Sequence, residues 1–545
     1  MKSKKILATI LSIILTMLSV TAVATDYTVA YGDIPEQVVC TPHGDLKTQV
    51  GFSWITSQNN SQSIVDIVER TGPVPSFDKA VRFTTNDGAA TAGDREGAAW
   101  RWHKIVATGL KPGTRYQYRV GDGTNWSDAG EFTTSPETMP EEGFTFLQVD
   151  DPQASIETNF YVWGYAMDQA RETFLDHKFI LHGGDHIDTG SKEDQWEMFF
   201  DKAQTVLSKT VFAGAVGNHD VRQPTDDNES LYSYRFNYQM PSDATFEYGA
   251  YYSFDYGNAH FMVVNTEALI DLSEAEKQSQ LNWIKYDFAK NAKKWNIVMV
   301  HRSLYTNGPH YNEKDVRNIL NELLYDTLGV DIVFGGHDHV YNRTYPILNG
   351  APITDSPILK NQTVGKLTNV TLWDNPKGTV NQLNNAIGTK FYTLKSSDLK
   401  WFVPLDFAGG STLYQPHLAT YAGVTVTENE IVNSAYYTDG ADSTLIERQG
   451  IRKTAPKINP PKNVVKTYNE AANSVTLSWN APDSQSNQTL KQYVVYDENN
   501  AYEKNWTCFT TDTSVTISLE DTNYIDTNFV VKSIGVHSVS DSGIN

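Results

Sequence analysis

The chain has 545 residues, 40% of them hydrophobic and 12% aromatic, and a formal charge of −21. That length exceeds one ordinary core of about 50 to 250 residues, so two to four domains are expected, and the apolar content excludes a disordered chain. The acidic balance excludes a general nucleic-acid binder, which gathers Lys and Arg against phosphates, and bound metal ions can supply the local positive charge an acidic protein needs to handle anions.

The first segment, "MKSKKILATILSIILTMLSVTAVA", has a basic start (Lys2, Lys4, Lys5), an apolar run from Ile6 to Val20 and the small-residue pattern Ala22-Val23-Ala24. Residues 1–24 therefore read as a cleavable signal peptide. The run is shorter than the roughly 20 apolar residues of a membrane anchor and is broken by Thr and Ser. No later stretch is apolar enough to span a bilayer, so an exported protein, secreted, extracellular or periplasmic, is expected. Cys40 and Cys508 lie near opposite ends with no paired spacing, and disulfides are not expected to organise the fold.

Residues 34–137 alternate as strands do, with Val50, Phe52 and Trp54 on one face and Tyr116, Tyr118 and Val120 on another. Leu110, Pro112, Thr114 and Tyr116 step by two into the second strand. This resembles the corner of a fibronectin type III domain, where a Tyr near a strand start bonds back to nearby backbone. Residues 456–545 repeat the theme, with Val475, Leu477 and Trp479 alternating ahead of "QYVVY" and "NFVVKSIG", and resemble a second such module without the corner.

Residues 142–452 read differently. The short apolar runs "FTFLQV", "HKFILHGG", "TVFAGAVG", "WNIVMV" and "VDIVFGG" each end in a polar cluster. Ser273 and Glu276 offer a capping box ahead of Leu281, Ile284 and Phe288. Buried strands alternating with helical segments predict an α/β layered domain with its chemistry at the strand ends. Residues 346–412 carry few periodic signals and are read as a candidate lid.

The clusters are "DDPQ" (Asp150, Asp151, Gln153), "GGDHID" (Asp185, His186, Asp188), "GNHD" (Asn218, His219, Asp220), "VHRSLY" (His301) and "GGHDH" (His337, His339). One histidine at a strand end means little, but five clusters of carboxylates, an amide and imidazoles in order form a ligand inventory for Zn, Mn or Fe, with no thiolate to favour structural zinc. The set exceeds one ion, and a bridging carboxylate suggests two. Two ions about 3.5 to 4 Å apart can clamp the attacking and leaving oxygens of an in-line displacement at phosphorus.

In this order the blocks resemble the calcineurin-like metallophosphoesterases, most closely their purple acid phosphatase branch. The "HDHVYNRT" continuation and the fibronectin-like domain ahead of the blocks strengthen the resemblance. It implies a multidomain chain whose central α/β metallophosphoesterase domain is a four-layer β-sandwich flanked by two all-β fibronectin III-like domains. It implies one metal held by Asp151, Asp185 and His339, and a second held by the bridging Asp185, Asn218, His301 and His337. A metal-bridging hydroxide would attack phosphorus, with His219 assisting the leaving oxygen.

The chain departs from the branch in places. The Tyr ligand that colours the purple enzymes is replaced by Asp188, so a purple ferric site is not expected. Asp188 is read either as a ligand or as the group that fixes the turn and orients His219. Gln153 stands where relatives have Gly or His, as an amide ligand or a donor behind the ligands. His310 is a candidate phosphate contact, His186 a candidate for the cleft wall, and Arg302 and Arg343 are candidate phosphate neighbours, Arg343 being read also as a structural ion-pair partner. The expected function is a phosphomonoesterase acting on phosphate esters, with a phosphodiesterase or nucleotide hydrolase using the same site as one alternative. A non-catalytic extracellular binding protein is the other.

Overall fold

The computed structural model describes residues 31–60, 62–84, 90–94, 99–221, 230–241, 244, 248–395, 399–405, 415–498, 506–518 and 528–543. The leader expected at residues 1–24 lies outside the described residues.

Two sheets face each other at the centre. The smaller has six strands in the order Tyr252–Tyr256, Ala259–Val264, Trp295–Arg302, Ile332–Gly336, Val380–Asn384 and Tyr341–Arg343. The larger has twelve and includes Phe144–Val149, His177–His182 and Val211–Gly214 as parallel neighbours. Rings interdigitate between the sheets: Phe146 meets Phe261 edge-on at 5.4 Å, and Phe179 meets Phe254 at 5.3 Å. Strands so enclosed need apolar residues on both faces, which is why their sequences run as continuous apolar stretches rather than alternating.

Helices cover the outer faces, completing a helix–sheet–sheet–helix layering. Glu157–Thr173 and Glu193–Leu207 pack together, with Trp163 donating to the Phe199 carbonyl at 2.9 Å. On the other side lies Glu274–Asn291, opened by the capping box of Ser273 and Glu276. Its Trp283, Ile284 and Phe288 join Val298, Val300 and Val333 in a second core.

The amino-terminal region is joined more closely than a module on a linker would be. Glu36–Thr41 pairs in parallel with Val211–Gly214, Cys40 opposite Val211, so the twelve-stranded sheet runs unbroken from one region into the next. Cys40 is fully buried at this seam, where burial pushes its thiol up to about 12; both cysteines are free. The facing sheet is Val81–Thr84, Ile64–Glu69, Arg115–Gly121 and Gly130–Thr133, and the Tyr116 hydroxyl accepts from the Lys111 amide at 2.9 Å.

The carboxy-terminal residues form facing sheets of three and four strands. Their Val494, Tyr496, Val530 and Ile534 share the second core with the long helix, and Lys532 Nζ donates to the Ala289 carbonyl at 2.8 Å. Among the described residues no helix is long and apolar enough to cross a membrane.

Candidate metal centre

Five strands deliver the polar clusters to one place: β1 (Phe144–Val149), β2 (His177–His182), β3 (Val211–Gly214), β4 (Trp295–Arg302) and β5 (Ile332–Gly336). The first three belong to the larger sheet and the last two to the smaller, all ending on the same side. Polar residues are tolerated there because the backbone turns out of the sheet and frees hydrogen-bonding groups.

The turns are sharp. Asp151, Gln153, Asp185 and His337 have φ of +51°, +34°, +49° and +67°. Left-handed backbone outside Gly and Asn is costly, and its concentration in a set of chemically competent residues points to a site. Glycine supplies the remaining room: a methyl group on Gly217 would stand 2.2 Å from Asp185, and one on Gly336 2.8 Å from Asp151 Oδ2.

Asp185, His301 and His337 converge so that their ligand atoms lie within 4.8 Å of one another. His301 Nε2 lies 3.4 Å from Asp185 Oδ2 and 3.1 Å from Asn218 Oδ1. Its Nδ1 meets the Gly183 carbonyl at 2.8 Å, which fixes the ring and turns Nε2 inward. Asp151 adjoins this group, 3.7 Å from His301 Nδ1, and receives the His337 amide at 3.0 Å. His339 Nε2 lies 3.9 Å from Asp151 Oδ1 while its Nδ1 is engaged by the Lys390 carbonyl at 2.5 Å. The six expected ligands thus come together.

The electrostatics suit a cation. Burial pushes His337 and His339 down to about 3, so both offer neutral lone pairs at ordinary pH. Burial also works against charge on Asp185, yet the adjacent His301 holds its carboxyl well below the usual range. Burial opposes the His301 imidazolium in turn, but Asp185 and then Asp151 push it up to about 10. The carboxylates draw positive charge into their midst, the demand a metal ion answers. His339 Nε2 is buried and has no hydrogen-bond partner among the described residues. An unpaired imidazole nitrogen beside a carboxylate is costly unless it has a ligand to hold, so the donor set fits the ions that the resemblance implies.

Around this group the other expected residues sort themselves. His219 Nδ1 meets the Asp188 carbonyl at 2.6 Å and its carboxylate at 3.5 Å, so Asp188 orients His219. Gln153 Nε2 lies 2.5 Å from His219 Nε2, and Gln153 Oε1 accepts from Lys390 at 3.1 Å. The amide thus bridges His219 and Lys390. Asp150 turns away to Gln148 at 2.7 Å, and burial pushes its carboxyl up to about 8.

Two expectations need correction. His186 does not line the cleft: it is fully buried, bonded to Asp220 at 2.9 Å and stacked on His182 at 4.1 Å. Its neighbours Trp196, Phe199, Phe212 and Phe236 enclose it in an aromatic cage. Arg302 is not free for phosphate, because Glu267 binds it at 2.6 Å and Glu313 at 2.7 Å. Arg343 pairs with Glu447 at 2.8 Å, as expected of an ion-pair partner. His310 is at the rim, its ring 4.1 Å from that of His337 and its Nδ1 2.6 Å from Glu313.

Sequence reasoning missed Glu313, Lys390 and Tyr392. Glu313 Oε2 lies 3.3 Å from His337 Nε2, and Tyr392 stacks on His339 at 4.5 Å. Glu313 stands three residues after His310, a spacing that could have been noticed; nothing local marks Lys390 or Tyr392.

Residues 151–341 match the calcineurin-like phosphoesterase family, and residues 35–134 match the purple acid phosphatase N-terminal domain. The chain carries a calcineurin-like phosphoesterase domain preceded by a purple acid phosphatase N-terminal domain. The curated proteins it resembles include purple acid phosphatases and acid phosphatases. Purple acid phosphatase 21 of Arabidopsis thaliana is 30% identical over 254 residues, 45% of this chain and 54% of that protein. Acid phosphatase type 7 of Mus musculus is 28% identical over 276 residues, 45% and 58% of the two chains. The match thus spans little more than half the length of these relatives. Among solved structures, the purple acid phosphatase PPD1 from yellow lupin seeds superposes with a TM-score of 0.60 at 17% identity, over 77% of this chain and 74% of that one. The structure of PhoD does so with a TM-score of 0.50 at 12% identity, over 76% and 90%. At such identities these likenesses concern the fold.

Proposed function

We propose that the chain is an exported, metal-dependent phosphoric ester hydrolase, acid phosphatase-like, acting on phosphomonoesters. The observation that carries this reading is the convergence of Asp151, Asp185, Asn218, His301, His337 and His339 at the ends of five strands, with His337 and His339 held neutral. Asp151 and His339 would hold one ion and Asn218, His301 and His337 a second, with Asp185 between them. Two transition metal ions, Fe, Zn or Mn, would supply Lewis acidity and a nucleophilic water at neutral pH.

The chain's own groups do the rest. The Gly183 carbonyl and Glu313 set the faces that His301 and His337 turn to the centre. The Asp188 carbonyl accepts a hydrogen bond from His219 Nδ1 and so turns Nε2 toward Gln153, and Nε2 would exchange a proton with the leaving oxygen when that oxygen takes the place of the Gln153 NH₂ group. His310 and Tyr392 wall the rim. The terminal sheets, read as fibronectin III-like modules, brace this domain, and residues 1–24 direct export.

The test is elemental analysis of the purified protein beside an assay on an aryl phosphate. The expected result is about two transition metals per chain and phosphate release abolished by chelation. Full activity in metal-free protein would overturn the proposal.

A further inference from the structure

Lys390 sits on the segment that follows Val380–Asn384 and crosses the site. That segment is pinned to the centre at several points. Ile387 donates its amide to the Asp150 carbonyl at 2.8 Å, Tyr392 donates to the His339 carbonyl at 3.0 Å, and the Lys390 carbonyl engages His339 Nδ1. The backbone of Lys390 is therefore held by a residue of the centre itself, although its side chain is exposed.

Its ammonium group is uncommitted in an unusual setting. The site is rich in carboxylates, and the guanidinium that reaches it, Arg302, is bound by Glu267 and Glu313. Lys390 makes no ion pair among the described residues. Its contacts are the Gln153 amide oxygen at 3.1 Å and the face of Tyr392, 5.7 Å from the ring centre. A lysine has no acceptor, so the Gln153 oxygen must face it and the Gln153 NH₂ group must face His219. One amide therefore separates the ammonium from the imidazole nitrogen that serves the leaving oxygen. On the proposed function, a group attached to that oxygen and extending outward along this line would meet the Gln153 NH₂ and then Lys390.

We propose that Lys390 reads the leaving group and favours phosphate esters whose leaving group carries a negative charge of its own over those whose leaving group is neutral. The inference rests on the proposed function, since it takes His219 as the residue on the leaving side. An ammonium fixed at the mouth of an acidic cleft offsets the repulsion that a second anion would meet there, and its hydrogen bond to an uncharged amide is exchanged for one to an anion at little cost.

The experiment compares 4-carboxyphenyl phosphate with its methyl ester on the metal-loaded enzyme, in wild type, Lys390→Met and Lys390→Arg. The readout is the ratio of kcat/KM for the charged ester to that for the neutral one, in which differences in phenol acidity cancel between variants. Lys390→Met is expected to lower the ratio about fivefold, the scale of an exposed charge pair, and Lys390→Arg to keep it. The difference should shrink as ionic strength rises from about 0.01 M to 1 M, where screening shortens to about 3 Å. An unchanged ratio in Lys390→Met, with wild type hydrolysing both esters, overturns this inference alone. A metal-loaded wild type that hydrolyses neither overturns the proposed function and this inference with it.

Discussion

Replacing Gly217 with Ala tests whether the position of Asp185 decides the chemistry. The added methyl would stand 2.2 Å from both the Asp185 amide nitrogen and its Oδ1, while ordinary contact begins at 3.4 Å, so Asp185 or β3 must retreat by the difference, 1.2 Å. No flexible side-chain end lies nearby to absorb it, because one obstacle is backbone and the other a short buried carboxylate. The shift falls on the residue proposed to lie between the ions, and a misplacement of about 1 Å at a reacting centre costs about a hundredfold in rate. Overpacking costs stability only about 1 to 3 kcal/mol. Gly217→Ala should therefore fold, unfold at a modestly lower temperature, lose at least one equivalent of metal, and drop in kcat/KM on an aryl phosphate by about a hundredfold or more. Gly72→Ala is the control, because a methyl there meets nothing within 4 Å. A Gly217→Ala protein with its full metal complement and a kcat/KM within threefold of wild type would refute the argument.

Asn218→Ala and His337→Ala should each abolish nearly all phosphate release, with elemental analysis showing ion loss and circular dichroism an intact fold. Glu313→Ala removes the carboxylate that faces His337 Nε2 and His310 Nδ1; metal affinity, read by chelator competition, should fall about 10- to 100-fold, and unchanged affinity would deny Glu313 that role. Away from the centre, His260 lies between Asp255 at 2.7 Å and Asp287 at 2.8 Å; burial opposes its charge, but Asp287 foremost pushes it up to about 10. Its folded value is above its unfolded value of about 6.5, so its stabilisation is complete below about pH 6.5 and lost as pH rises through about 10. The gap in unfolding temperature between wild type and Asp287→Asn should narrow over that window, and a constant gap would contradict the assignment.

What the sequence disclosed and what it withheld follow from the range of the interactions involved. The strand-end clusters were legible because each is local: an apolar run specifies a buried strand, and the polar residues after it must lie at its end. Once Phe144–Val149, Trp295–Arg302 and Ile332–Gly336 are strands, Asp151, His301 and His337 stand at or just beyond strand ends, and it was the order of the clusters, shared with a known family, that put those ends in one place. The Ser273 and Glu276 cap was legible for the same reason, since it spans three residues. His186 was misplaced because its position next to Asp185 marks proximity along the chain but not the direction of the side chain. The turn that brings Asp185 to the centre sends His186 back among Trp196 and Phe199. The seam between the amino-terminal and central regions was invisible because it depends on Cys40 pairing with Val211, and no local pattern encodes a partner so distant.

Lys390 lies at the far limit of this scale. It reaches Gln153 across 237 positions, on a stretch with no periodicity to place it. The residues that bind ions must sit on rigid strand ends, because their geometry tolerates little error, and rigid strand ends are what sequence patterns reveal. A residue that discriminates among leaving groups needs only to project from a tethered segment at the mouth, where sequence is free to vary without disturbing the centre. If Lys390 reads the leaving group, relatives that keep the six ligands should differ in substrate preference through this segment rather than through the strand ends. Moving residues 385–395 between two such proteins should transfer the charged-to-neutral ester ratio while metal content stays fixed, and a ratio that remained with the strand ends would contradict this division of labour.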